Sequence, residues 1–190
     1  MASPDISGLE ITSARKFNAP RAAVFAAFAD PASLVHWWGP NGFTNRITEF
    51  DFRPGGAWRI VMRNSDDVDF DSHSEFLAIE PEVRISYLHL EPIHRFVMTM
   101  DYTDVAPGRT QLAWHMRMER TAENEQLRQF IRGAHQENFD RLAGFLRSQG
   151  AVGSRTQNRQ PATPSDSTPM VPLRRVRILR TVFKPKPKPG

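Results

Sequence analysis

Residues 19–40, APRAAVFAAFADPASLVHWWGP, and residues 50–60, FDFRPGGAWRI, decide the fold. The first stretch carries Val24, Phe25 and Phe28 at helical spacing. It is interrupted at Pro31 and again at Trp37-Trp38-Gly39-Pro40, which predicts two short helices followed by a sharp corner. Pro20 suits the first turn of a helix over Ala22 to Phe28, and Asp30 suits the N-cap of a second helix running from Pro31 to about Val35. The second stretch predicts a strand, a Pro54-Gly55-Gly56 turn and another strand. A helical entry thus feeds an antiparallel sheet.

Working outward, Leu9 to Phe17 alternate loosely and read as a first strand. Further strands are expected near residues 43–52, 56–63, 69–79, 83–90, 93–102 and 110–119, separated by turn signals such as Glu80-Pro81, Glu91-Pro92 and Pro107-Gly108. Alternation assigns their faces. Trp58, Ile60 and Met62 share one face, as do Phe96, Met98, Met100 and Tyr102, and as do Leu112, Trp114, Met116 and Met118. On 69–79, Asp69, Asp71, His73 and Glu75 share a face whose polarity marks the solvent side.

From Thr121 to about Ser148 the period becomes helical, with Leu127, Phe130, Ile131, Ala134, Leu142, Phe145 and Leu146 recurring every three or four residues. Thr121 is the expected N-cap, Glu123 and Glu125 suit the positive end of the helix dipole, and Gly150 is the expected stop. Such a helix spans about 40 Å, enough to cross a sheet. Beyond it the apolar period vanishes, and seven of the 15 prolines fall in the last 40 residues. The expectation is one domain over residues 5–150 and a disordered, basic, Pro-rich tail over 151–190.

The net charge of +4 hides two opposite balances: the tail holds nine basic residues against Asp166 alone, whereas the first 150 residues carry 16 basic and 20 acidic groups. Basicity therefore argues for no nucleic-acid partner of the folded part. The chain has no cysteine, which removes disulfides, thiol catalysis and Cys-based zinc sites. It has no run of about 18 apolar residues and no secretory start, so a cytoplasmic protein without a transmembrane segment is expected. No GxSxG, GxGxxG, GxxxxGK[ST] or HExxH pattern occurs, so no catalytic residue, cofactor or metal site is assigned.

Four stretches together resemble a known family. Arg15, Phe17, Ala19 and Pro20 lead into Val24, Phe25, Phe28, Asp30, Pro31, Leu34, Trp37, Trp38 and Gly39. Phe50 to Gly56 follows, with Trp58 and Arg59; then EFLAIEPEVRISY, Glu75 to Tyr87; then NFDRLAGFL, Asn138 to Leu146. In this order they are similar to the START/Bet v 1-like (SRPBCC) superfamily, and within it to the Activator of Hsp90 ATPase homologue 1-like family. The resemblance implies an α+β helix-grip fold: a curved antiparallel sheet wrapped around a long C-terminal helix, two short helices after the first strand, and a cavity between sheet and helix. Where the family's long helix usually carries Gly-Trp, this chain has Gly133-Ala134-His135, which implies a wider and more polar cavity floor. The eukaryotic activator's Trp-His-Trp motif is missing.

Strand and helix phase select Trp58, Met62, Met98, Met100, Trp114, Met116, His135 and Phe139 as the lining of that cavity, a surface suited to an apolar or amphipathic small molecule. The same pattern also suits a fully packed core. His135 equally suits a half-exposed helix position, and Trp37 and Trp38 a staple of helix to sheet. Three functions stay open: a non-catalytic binder of a small hydrophobic molecule, a co-chaperone-like partner of an Hsp90 homologue, and a cyclase- or hydrolase-type enzyme on an aromatic or polyketide-like substrate. A homodimer is also left open.

Overall fold

A computed structural model describes residues 8–91 and 94–154. The expected tail, apart from its first four residues, lies outside the described residues. The chain order is β1 (Gly8–Phe17), α1 (Arg21–Ala29), α2 (Pro31–Trp37), β2 (Thr44–Phe50), β3 (Ala57–Arg63), β4 (Asp69–Glu80), β5 (Arg84–Glu91), β6 (Phe96–Ala106), β7 (Arg109–Glu119) and α3 (Ala122–Ser154). The strands form one curved antiparallel sheet in the order β1-β7-β6-β5-β4-β3-β2. β1 and β2 are therefore opposite edges, and α1 and α2 carry the chain from one edge to the other. The long helix α3 packs its buried side against the concave face, giving the helix-grip arrangement.

Local chemistry explains the helical entry. Pro20 occupies the N-cap of α1 with φ −65°, an angle its ring fixes in advance. Asp30 caps α2 by accepting from the backbone N–H of Ala32 at 3.0 Å and of Ser33 at 3.1 Å. The Ser33 hydroxyl also donates to Asp30, and this bond, with the two backbone ones, holds its carboxyl below the usual aspartate range. Trp37 Nε1 donates to the carbonyl of Ala27 at 2.8 Å, tying α2 back onto α1.

Two glycines are required where they stand. At Gly39, with φ +88°, an added Cβ would lie 2.6 Å from Met62 Cε, so a side chain there would enter the core. At Gly56 it would lie 1.9 Å from the Asp51 carbonyl oxygen. The turn before β3 is also tied to β4, since Gly55 donates to the Phe76 carbonyl and Phe76 donates back to Gly56.

Some boundaries differ from expectation. α2 continues to Trp37, and β6 starts at Phe96 rather than at 93 but reaches Ala106, where it pairs with Arg109 across the Pro107-Gly108 turn. The sharpest correction is at Gly150, which does not stop α3: the helix runs to Ser154. A glycine in a helix costs only about 1 kcal/mol relative to alanine and keeps its N–H, unlike proline.

The core is continuous from the concave face to α3. Leu9, Ile11 and Phe17 of β1, Trp58, Ile60 and Met62 of β3, Phe70 and Phe76 of β4, and Leu112, Trp114, Met116 and Met118 of β7 form one core with Leu127, Ile131, Phe139 and Leu142 of α3. The Asp69, Asp71, His73 and Glu75 face of β4 points away from it; Asp69 accepts from Arg63 of β3 at 2.6 Å.

Candidate functional site

Sheet and helix do not close completely. A cavity of about 140 Å³ remains between them. β3 supplies Trp58 and Met62, β6 supplies Met98, β7 supplies Trp114, Met116 and Met118, and α3 supplies Ile131, Ala134 and His135. Of the eight side chains selected from phase, Trp58, Met62, Met98, Trp114, Met116 and His135 stand on its wall. Met100 and Phe139 do not: both are fully buried and brace the wall from behind. Met100 is paired in register with Trp114, and the Phe139 ring lies 4.7 Å from the Trp114 ring and 6.0 Å from that of Phe17.

The Trp37-Trp38 pair, read from sequence as a staple, divides its work. Trp37 is the staple, whereas Trp38 turns into the cavity wall, 5.1 Å from the Trp58 ring and 5.5 Å from the Trp114 ring. The corner carrying Trp38 is held to α3 by two side chains. Asn138 accepts from the Gly39 N–H at 2.7 Å and donates to its own helix at Ala134. Arg141 Nη1 donates to the carbonyls of Trp38, Gly39 and Pro40 at 2.9 to 3.0 Å. Burial lowers the Arg141 pKa from the usual arginine value, but three carbonyl acceptors still stabilise its charge.

The polar wall is where sequence reading fell short. Ser72 and Ser74 line the cavity from β4 and Tyr87 and His89 from β5, with His94 just before β6. The signal lay in the strand phase: Ser72 and Ser74 share the face of buried Phe70 and Phe76, and His89 follows Ile85 and Tyr87 at two-residue spacing. The acidic run on the opposite face of β4 drew the attention instead. Burial pushes the Tyr87 phenol well above its usual pKa, so it stays neutral.

His135 is buried, not half-exposed. Its Nδ1 shares a hydrogen bond with Ser13 Oγ of β1 at 3.0 Å, and its ring meets Trp114 edge-on at 5.1 Å. Burial lowers its pKa to about 4, so the imidazole is neutral at pH 7. Two indole N–H groups of the wall, Trp58 Nε1 and Trp114 Nε1, and the His94 Nε2 have no hydrogen-bond partner among the described residues.

The polar groups of the wall include hydroxyls, imidazoles and one amide. Ser72 Oγ and Ser74 Oγ stand 3.4 and 3.3 Å from His89 Nδ1. Among the described residues no Asp, Glu, Lys or Arg lines the cavity. No cluster of three His, Asp or Glu with metal-binding geometry occurs among them either, and none of their helices is long and apolar enough to cross a membrane.

The model of the family described as "Activator of Hsp90 ATPase homolog 1-like protein" matches residues 18–147. Solved structures repeat the fold at low identity. A protein from Arthrobacter aurescens superposes with a TM-score of 0.69 at 18% identity, covering 77% of this chain and 90% of its own. Protein CV1439 from Chromobacterium violaceum gives 0.61 at 23% identity, covering 72% and 96%. The AHSA1 protein from Silicibacter pomeroyi gives 0.62 at 18% identity, covering 74% and 99%. A comparison with curated protein sequences gives no match.

Proposed function

Since this chain belongs to the Activator of Hsp90 ATPase homolog 1-like family, we propose that it is a non-catalytic domain holding a small hydrophobic or amphipathic molecule between its sheet and α3. The observation that carries this reading is the hollow under α3, walled by Trp38, Trp58, Trp114 and four methionines. Thioethers adapt to the outline of an apolar guest, and indoles offer flat apolar walls. Among the described residues the wall of the hollow carries no Asp, Glu, Lys or Arg. A cytoplasmic setting is part of the same proposal.

Native mass spectrometry of purified protein, before and after organic extraction, tests it. A carried mass lost on extraction, or binding from a library of apolar and aromatic compounds, is expected. Neither a carried molecule nor any binding would overturn it.

The family's description favours a second reading, a co-chaperone-like contact with an Hsp90 homologue. It predicts co-purification with that chaperone and a changed ATPase rate on addition of this protein. Absence of both effects ends that reading without touching the first.

A further inference from the structure

We propose that the cavity selects a neutral, single-ring aromatic molecule carrying a hydrogen-bond acceptor of the ketone type, a claim that rests on the cavity being a binding site. Size limits the guest first. The hollow measures about 140 Å³, close to the roughly 150 Å³ of an apolar cavity that holds one benzene ring, and well below the roughly 300 Å³ at which pockets for larger ligands begin. A fused polycycle or a long acyl chain is not enclosed whole by this volume.

The walls choose the shape of the guest. The Trp38 and Trp58 rings of the wall meet edge to face at 67°, and an aromatic guest would meet them in the same way. Aromatic pairs favour offset and edge-to-face contacts of this kind. The charge of the wall then excludes ions. None of the described lining residues is Asp, Glu, Lys or Arg, and burial lowers the pKa of the lining His135 and His94, so an ionised guest would lose its hydration with no carboxylate, ammonium or guanidinium to replace it.

The unused hydrogen bonds define the last property. His135 and Asn138 are engaged, the first with Ser13 and the second with Gly39 and Ala134. Among the described residues the N–H groups of Trp58 and Trp114, and the His94 Nε2, are buried with no partner. An indole nitrogen can only donate, and a buried donor left unpaired is rare and costly. A guest with a carbonyl oxygen removes that cost, whereas a hydrocarbon of the same outline does not.

The test titrates the full chain with ethylbenzene, acetophenone and benzoate by calorimetry, alongside the W58F and W114F variants. In one or both variants the affinity for acetophenone relative to ethylbenzene is expected to fall about tenfold, with ethylbenzene itself changed less than about threefold. Benzoate should bind the unaltered chain at least about tenfold more weakly than acetophenone. Infrared spectra of acetophenone bound to the unaltered protein need no variant to fold: the carbonyl band should move to lower frequency than in a hydrocarbon solvent. A carbonyl band at its hydrocarbon position, an unchanged ratio in both variants, or benzoate binding as tightly as acetophenone would each overturn the assignment while leaving the cavity a binding site. If none of the three compounds binds, this inference falls, while the binding reading is decided by the mass spectra and the compound library.

Discussion

Around Phe28 of α1 the core is filled by rings, whereas under the middle of α3 the same sheet leaves a gap. The Trp38, Trp58, Phe76 and Tyr87 rings stand 5.3 to 6.5 Å from Phe28, and the Phe50 and Phe52 rings stack at 5.5 Å beside them. Toward α3 the concave face changes to Met98, Met116 and Met118, and the helix answers with Ala134. Rings with few rotamers interlock and set a rigid frame. Thioethers line what that frame leaves over, and a small residue on the helix keeps it open. Trp38, Trp58 and Tyr87 belong to both regions, each within 6.5 Å of the Phe28 ring and each on the wall of the hollow.

The difference breaks most severely at Phe28. Phe28→Ala removes the ring on which the filled end converges and should cost about 3–5 kcal/mol in denaturant unfolding. A loss below about 1 kcal/mol would mean that end is as loosely packed as the other.

The hollow end should show itself through pH. With its folded-state pKa lowered to about 4 against about 6.5 in an unfolded chain, His135 takes up its proton first in the unfolded state as the pH falls. The stability present above pH 6.5 is therefore lost progressively down to about pH 4, by roughly 3 kcal/mol for this group. His135→Gln should flatten that part of the profile measured by urea unfolding, and an unchanged slope would place the titration elsewhere.

Arg141→Met tests the clasp between the regions. It leaves the Gly39 carbonyl without its donor, whereas the Trp38 and Pro40 carbonyls keep Asn45 Nδ2 and the Phe43 N–H, and it should cost about 1–3 kcal/mol. It should also alter the emission of Trp38, which a purely electrostatic surface effect would not do.

The smallest effect sharpens the contrast. Ala27→Leu, in the packed end, should cost about 1–3 kcal/mol through overpacking. Ala134→Leu has the hollow to grow into, so its change in melting stability should stay within about 1 kcal/mol while it displaces any guest. Equal penalties at the two alanines would mean that the hollow is closed.

Much of this was legible beforehand. The Asp30 cap, the Pro-Gly-Gly turn and the alternation of Trp58, Ile60 and Met62 depend on neighbours a few residues apart, so the chain states them locally. The site was legible only as a direction of facing. Phase alone placed Met100 and Phe139 with Trp114 and Met116, since it cannot tell a side chain that lines a cavity from one that braces its wall. The same limit hid Ser72, Ser74 and His89, whose inward strand positions carry no sign of the depth at which they sit. Gly150 misled because a weak helix former ends a helix only when tertiary contacts on either side allow it.

The order of strands and helices, and the face each turns inward, were determined by sequence alone, because apolar side chains repeating every two or every 3.6 residues follow directly from backbone geometry. Whether those inward faces meet was decided only by the tertiary structure. A hollow is a difference between the space the frame encloses and the volume of side chains from β3, β7, the Trp38 corner and α3, far apart in the chain. Pairing of the buried polar groups was decided at the same level: Ser13 and His135 share a hydrogen bond across 122 residues, and the Trp58 and Trp114 N–H groups find no partner among the described residues.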